Sequence, residues 1–397
     1  MDMMPSAKMD LLTTGIFTEL ADRKQDCLKR GKDVIDLSVG SPDLGPSQLV
    51  MDTIAEYSRN PANYGYTLKG TSEFNEAVRY FYKQRYHVEV NPRDEVLQLM
   101  GSQDGLSHLA TAMVNPGEYV LVPDPGYPIY EASVTIAGGL IYPMPLLQEN
   151  KFLPKLEDIP SEVLNKTKMM ILSYPGNPVT ALADEEFFEK VVEFAKLHQI
   201  LVVHDFAYSE IIFDNNPQIS FLSIEGAKEV GIEFNSLSKT FNMAGCRIGY
   251  VLGNAKAISI LSSLKSHMDY GVFLPIQRAA EKALTSDFSV LDEQVKLYED
   301  RRNTLIAGLN KSGWKVQSSP ATMFVWASIP SGWTSRQFAF ELLEKAGVAV
   351  VPGDAFGKEG EGYVRMALVQ PPHRLAEAAD RIQLFLSTNP SEKLVEI

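Results

Sequence analysis

Two short apolar runs that each end in polar residues constrain the fold of this chain most. Ile200 to Val203 leads into His204-Asp205-Phe206-Ala207-Tyr208. Ile232 to Phe234 leads into Asn235-Ser236-Leu237-Ser238-Lys239-Thr240-Phe241, with Arg247 just downstream. Polar groups placed immediately after parallel strands meet at the carboxyl edge of one sheet, where α/β proteins bind their ligands. The pattern therefore predicts an α/β fold with a ligand site at that edge.

The rest of the chain supports this reading. From about residue 95 to 250, short apolar runs alternate with helical patterns. Tyr119 to Val122, Leu140 to Tyr142, Lys168 to Leu172, Ile200 to Val203 and Ile248 to Val251 read as strands. Tyr130 to Ala137 reads as a helix, and so does the segment opened by Asp184-Glu185-Glu186, whose acids complement the helix dipole. Strands separated by helices imply parallel pairing and a helix-covered sheet. The final third changes to an α+β character. It holds a long charged helix from Ser289 to Leu309, strands at Phe324 to Ala327, Val348 to Val351 and Tyr363 to Ala367, and a closing helix from Leu375 to Leu386. The expected division is a segment 1–45 packing with the small domain, a large domain 46–285 and a small domain 286–397.

Composition narrows the function classes. A formal net charge of -13 argues against a general nucleic-acid binder. No apolar stretch reaches the roughly 18 to 20 residues of a membrane span. The start Met1-Asp2-Met3-Met4 carries acid early and no apolar core of a secretory signal, and Cys27 and Cys246 are the only cysteines. Both features predict a cytoplasmic protein without a disulfide framework. The six histidines are scattered without ligand-like spacing, so no metal is expected.

The residues at the predicted sheet edge carry a specific chemistry. Lys239 is flanked by apolar residues and hydroxyls, and partial burial would lower its pKa and free the amine for imine formation. Arg247 could clamp a phosphate bidentately. Asp205 ends an apolar run; it either caps the next turn or sits buried, and a buried carboxylate needs a cationic partner such as a pyridinium nitrogen. Asn177, in Pro175-Gly176-Asn177-Pro178, is either a turn residue or an amide donor to the same ligand. Tyr127 offers an aromatic face. Gly101-Ser102-Gln103-Asp104-Gly105 precedes a helix, whose N-terminus is an anion site. A lysine, a carboxylate, hydroxyls, a phenol and an arginine are what holding pyridoxal 5'-phosphate requires.

Taken together, and in this order along nearly the whole chain, these segments resemble the class I/II aminotransferases of the fold-type I pyridoxal phosphate superfamily. The resemblance runs from Asp36-Leu37-Ser38-Val39-Gly40-Ser41-Pro42-Asp43 to Gly362-Tyr363-Val364-Arg365. It implies a large domain with a mostly parallel, seven-stranded sheet, a smaller α+β domain, and a homodimer with shared active sites. It implies ping-pong transamination between an L-amino acid and a 2-oxo acid. A C–S β-eliminating lyase on the same scaffold is the alternative. A cofactor-sensing domain of a transcription regulator is a more distant rival, opposed by the acidic charge and by the family's segments beginning by residue 36. Lys239 would be the Schiff-base lysine and proton shuttle. Asp205 would pair with the pyridine nitrogen, and Asn177 and Tyr208 would hold its 3-oxygen. Ser102, Gln103, Ser236, Ser238 and Arg247 would surround the phosphate. Arg365 would grip the substrate α-carboxylate with help from Asn177 and the Gly40 backbone; a structural ion pair is its other reading.

Three positions depart from the family pattern. Asn-Pro-Thr-Gly reads Asn177-Pro178-Val179-Thr180 here. The usual tyrosine five residues before Gly70 is Gly65, flanked by Tyr64 and Tyr66, and Tyr66 is expected to take its role at the partner subunit's phosphate. No second arginine for a distal substrate carboxylate is evident. The wording is closest to the branch holding LL-diaminopimelate and methionine-salvage aminotransferases. Gly15-Ile16-Phe17, apolar within a charged tail, is expected to close over the substrate.

Overall fold

Among the described residues, twelve strands form three sheets. In chain order they are β1 Ile35–Asp36, β2 Val96–Leu99, β3 Tyr119–Asp124, β4 Leu140–Pro145, β5 Thr167–Leu172 and β6 Leu201–Asp205. There follow β7 Gly231–Ser236, β8 Gly249–Gly253, β9 Phe324–Ser328, β10 Val348–Ala349, β11 Val351–Pro352 and β12 Tyr363–Ala367. The computed structural model describes residues 3–12 and 15–389. Residues 1–2, 13–14 and 390–397, which fall in the two terminal segments delimited above, lie outside the described residues.

Seven strands build the large sheet, in the order β2-β8-β7-β6-β5-β3-β4. Strands β7, β6, β5, β3 and β4 run parallel. Each of β5, β6 and β7 is buried along almost its whole length, because helices cover both faces. That is why these strands read as unbroken apolar runs and not as alternating ones. Two corrections to the strand pattern follow. Strand β8, expected to continue the parallel alternation, runs antiparallel to both β7 and β2. The only α-helix between β7 and β8 is the single turn Leu237–Thr240, too short to carry the chain back for a parallel crossover. The apolar run Val348 to Val351 is not one strand. Its first half pairs in parallel with β1, and its second half pairs antiparallel with β12.

The alternation along that run explains the split. Val348 and Val350 enter the core shared by β9, β12 and the long helices, whereas Ala349 and Val351 face a cluster with Leu20, Cys27 and Trp326. Helices Ser289–Lys311 and Pro372–Thr388 cover the three-stranded sheet β11-β12-β9. They approach so closely that a Cβ on Gly308 would stand 2.5 Å from that of Ala379. Through β1 and β10, the N-terminal chain is tied to this C-terminal part.

A fully buried polar network anchors the strands that carry the site. His204 on β6 and Glu233 on β7 are register partners, with Nδ1 and Oε2 2.8 Å apart. Glu233 also accepts from the Tyr82 hydroxyl at 2.9 Å, the Ser220 hydroxyl at 2.8 Å and the Phe221 N–H at 2.9 Å. His204 Nε2 lies 3.1 Å from the Tyr174 carbonyl, at the head of the loop that carries Asn177. Every polar atom of the Glu233 carboxylate is thus engaged, as burial demands.

Candidate active site

Strand β6 delivers Asp205 at its carboxyl end, and β7 delivers Ser236, which opens the turn holding Ser238 and Lys239. Ser236 acts as the N-cap, its hydroxyl accepting from the Ser238 N–H at 3.2 Å. Asp205 is 7% exposed, and its oxygens take the Tyr130 hydroxyl at 2.7 Å and the Ala207 N–H at 3.2 Å. Burial pushes its pKa up, and those two donors oppose the rise. Among the described residues no cationic side chain hydrogen-bonds to it, and Lys239 acts on it only through its charge.

Lys239 extends toward the glycine segment, where its Nζ donates to the Gly40 carbonyl at 2.9 Å. Its pKa is lowered to about 8, first by burial and then by the cations of Arg365 and Arg247, with Asp205 opposing. The same groups act on Tyr127, whose pKa burial raises, and its hydroxyl donates to Gln103 Oε1 at 3.0 Å. Tyr208 is buried, edge-on to Phe324 with ring centres 5.5 Å apart.

Beside Arg247 stands the start of helix Ser102–Met113. Gly101 precedes it at φ 83 and no side chain caps it; the Asp104 N–H donates to the Gly101 carbonyl at 3.1 Å. A Cβ at Gly101 would stand 2.5 Å from Arg247 Nη2, and one at Gly249 would stand 2.7 Å from the Ser102 nitrogen. Glycine at both positions thus lets β8 and the arginine close on the helix start. Arg247 itself adopts a left-handed backbone at φ 52, and its Nη1 donates to the Ala244 carbonyl at 3.0 Å.

At the opposite end, Arg365 on β12 is 4% exposed and forms no ion pair among the described residues, so the structural ion-pair reading is not realised. Its Nη1 donates to Asn177 Oδ1 at 2.7 Å and its Nη2 to the Ser38 carbonyl at 2.9 Å. The guanidinium lies 4.3 Å over the Phe324 ring and 4.9 Å over that of Phe356. Burial lowers its pKa to about 10, so it stays charged at neutral pH. Phe17 packs edge-on against Phe356, 5.7 Å between centres. Tyr66 stands outside this group in the single chain: it is 82% exposed and leans on Tyr270, 5.0 Å away.

Sequence reasoning missed three contributors. Tyr130 holds Asp205, and its position one helical turn past Tyr127 was the available signal. Phe356 sits on Arg365 with nothing local to mark it. Gln294, from helix Ser289–Lys311, donates from Nε2 to the Lys239 carbonyl at 2.8 Å.

The residues fit pyridoxal phosphate on charge alone. The charged groups acting on the Lys239 amine are Arg365, Arg247 and one carboxylate, Asp205, which already accepts from neutral donors. That balance of charge suits the phosphate and pyridine nitrogen of the cofactor and the carboxylate of an amino-acid substrate.

A profile of the aminotransferase class I and II family matches residues 32–382. The LL-diaminopimelate aminotransferase of Moorella thermoacetica is 43% identical over 94% of this chain and 95% of its own length. Among solved structures, substrate-bound BacF from Bacillus subtilis superposes with a TM-score of 0.93 at 40% identity, covering 97% of this chain and 98% of that one. The aromatic aminotransferase of Pyrococcus horikoshii follows at 0.86 and 30% identity, covering 94% and 100%. The two relatives named for an activity are aminotransferases, which gives the lyase alternative no support. The chain belongs to the aminotransferase class I and II family, pyridoxal phosphate-dependent enzymes of transamination.

Proposed function

We propose that Lys239, Asp205 and Tyr208 are the catalytic groups, acting on an L-amino acid and a 2-oxo acid held by Arg365, Asn177 and the Gly40 backbone. The observation that carries this assignment is the placement of the Lys239 amine within the fields of Arg365, Arg247 and the buried carboxylate of Asp205. Bound pyridoxal phosphate supplies a carbonyl that exchanges amines and a ring that accepts the electrons of the substrate Cα. Ser102, Gln103, Ser236, Ser238 and Arg247 hold its phosphate, and Tyr127 covers its ring. Asn177 and Tyr208 hold its 3-oxygen. Asp205 keeps a fixed negative charge beside the ring nitrogen, oriented by Tyr130 and the Ala207 N–H. Lys239 Nζ, oriented by the Gly40 carbonyl and with its pKa lowered to about 8, takes the proton from Cα of the amino donor and, in the second half-reaction, delivers a proton to Cα of the acceptor. A base held this close acts at high effective concentration. Arg365 presents its fork to the α-carboxylate, and Asn177 spends its carbonyl on the arginine, leaving its amide N–H₂ for the ligands.

The proposal extends to a cytoplasmic homodimer in which Tyr66 reaches the partner's phosphate; its 82% exposure beside exposed Tyr270 supports a covering surface. It also takes 1–45 as a segment packing with a small domain 286–397, beside a large domain 46–285, with Phe17 closing over the substrate from its seat on Phe356. The relatives' names make LL-diaminopimelate the first donor to test, followed by aromatic amino acids. The experiment is a half-reaction: purified enzyme is mixed with single amino acids in the absence of any oxo acid, and its visible spectrum is followed. The true donor bleaches the visible cofactor band and releases its 2-oxo acid in equal amount. Release of ammonia and pyruvate with the band retained would contradict transamination.

A further inference from the structure

Asp104, the third residue of helix Ser102–Met113, folds the loop Met100-Gly101 that leads into that helix. Its N–H donates to the Gly101 carbonyl at 3.1 Å, and its carboxylate Oδ2 accepts from the Met100 N–H at 3.1 Å. A carboxylate in a first turn complements the helix dipole, yet it opposes any second anion at the same helix start. Two basic side chains face it. His108 Nδ1 lies 3.0 Å from Oδ1, and the Lys265 ammonium lies 3.3 Å from Oδ2. Lys265 ends helix Ala255–Lys265 and is 4% exposed, and a lysine that deeply buried needs carboxylates around it. Its second carboxylate is Asp269. Asp269 Oδ1 accepts from the Gly271 N–H at 2.7 Å, which shapes the turn that carries Tyr270. Tyr270 leans on Tyr66, and its carbonyl accepts from the Leu68 N–H at 3.0 Å. A Cβ on Gly271, at φ 88, would stand 2.5 Å from Thr67 Oγ1, so this turn and the Tyr66 loop are in contact.

One buried ammonium thus joins the loop of Gly101 to the turn on which Tyr66 leans. We propose that Lys265 is a positioning residue for the cofactor phosphate. It holds the Asp104 carboxylate on the Met100 N–H and offsets its charge, so that Ser102 and Gln103 receive an anion against no free negative charge. The inference rests on the assignment of Ser102, Gln103 and Arg247 to that phosphate. A neutral side chain at 265 leaves Asp104 and Asp269 without the cation they share. The repulsion then acts on a charged phosphate and spares an uncharged ligand with the same ring.

The test is absorbance titration of cofactor-free enzyme with pyridoxal phosphate and, separately, with pyridoxal, which has the same aldehyde and ring but no phosphate. Lys265→Met is expected to weaken binding of pyridoxal phosphate about tenfold or more, and of pyridoxal by less than about twofold. Lys265→Gln, which keeps a donor for the fold but no charge, gives the same split. Adding Asp104→Asn to Lys265→Met removes the uncompensated carboxylate and recovers most of the loss, a coupling that two independent sites would not show. Arg247→Met is the control, and it weakens pyridoxal phosphate if the phosphate assignment holds. Loss of both ligands by one factor in the Lys265 variants overturns the proposal and leaves the assignment standing. So does an unchanged affinity in those variants while Arg247→Met weakens pyridoxal phosphate. Undiminished affinity in Arg247→Met overturns the assignment, and the proposal with it.

Discussion

Replacing Tyr130 by phenylalanine removes one hydroxyl from a buried site and keeps the ring that fills it. That hydroxyl is one of two donors to Asp205, at 2.7 Å, on a carboxylate whose pKa burial already raises. A hydrogen bond to a charged acceptor contributes about 1.5–3 kcal/mol. Its loss therefore raises the Asp205 pKa further and, where the carboxylate must be ionised at low pH, lowers kcat/KM by about tenfold or more. The active form of Asp205 is ionised, so activity falls as pH drops through its pKa, and a raised pKa moves that fall to higher pH. The assay is kcat/KM for a single amino donor as a function of pH, for the parent and for Tyr130→Phe. The acid limb of the variant is expected at higher pH than the parent's, with rates converging toward the parent on the alkaline side. An acid limb at the parent's pH, or a loss of equal factor at every pH, would refute the role given to Tyr130.

Three other outcomes follow from the same geometry. Arg365→Lys keeps the charge but not the fork, so KM for the amino donor should rise about 10- to 100-fold, equivalent to about 1.4–2.8 kcal/mol, with kcat much less affected; steady-state kinetics decide it. Gly101→Ala forces a side chain into a left-handed position and against Arg247 Nη2, so cofactor affinity measured by absorbance titration should weaken about tenfold or more. Because the Lys239 pKa is lowered to about 8, uptake of pyridoxal phosphate by cofactor-free protein should accelerate about tenfold per pH unit below that value, where the neutral amine is scarce, and level off above it; stopped-flow absorbance at a series of pH values reads this directly.

What was legible in the sequence was whatever chemistry places next to a strand end. Asp205 and Lys239 follow apolar runs directly, and the topology of a parallel sheet brings such positions together whatever the intervening chain does. Arg365 was legible for its chemistry, since a buried arginine on a strand needs a carboxylate or a reason to lack one. The direction of β8 was not, because it depends on the length of the connection from Lys239 and not on any residue within the strand. The run Val348 to Val351 is uniformly apolar, and nothing in it announces that its two faces enter different cores. Gln294 lies in a long charged helix, where its hydrogen bond to the Lys239 carbonyl leaves no periodic trace. Tyr130 was within reach: three residues beyond Tyr127 on the same helix start, its hydroxyl had a buried carboxylate to find.

The account stands or falls on the amine of Lys239, and reductive trapping tests it most directly. The enzyme loaded with pyridoxal phosphate is reduced with borohydride, digested, and its peptides are identified by mass spectrometry. A single pyridoxyl adduct on the peptide carrying Lys239, absent when the amino donor is added before the reductant, is the predicted result. An adduct on another lysine, or none on an active enzyme, would contradict the account.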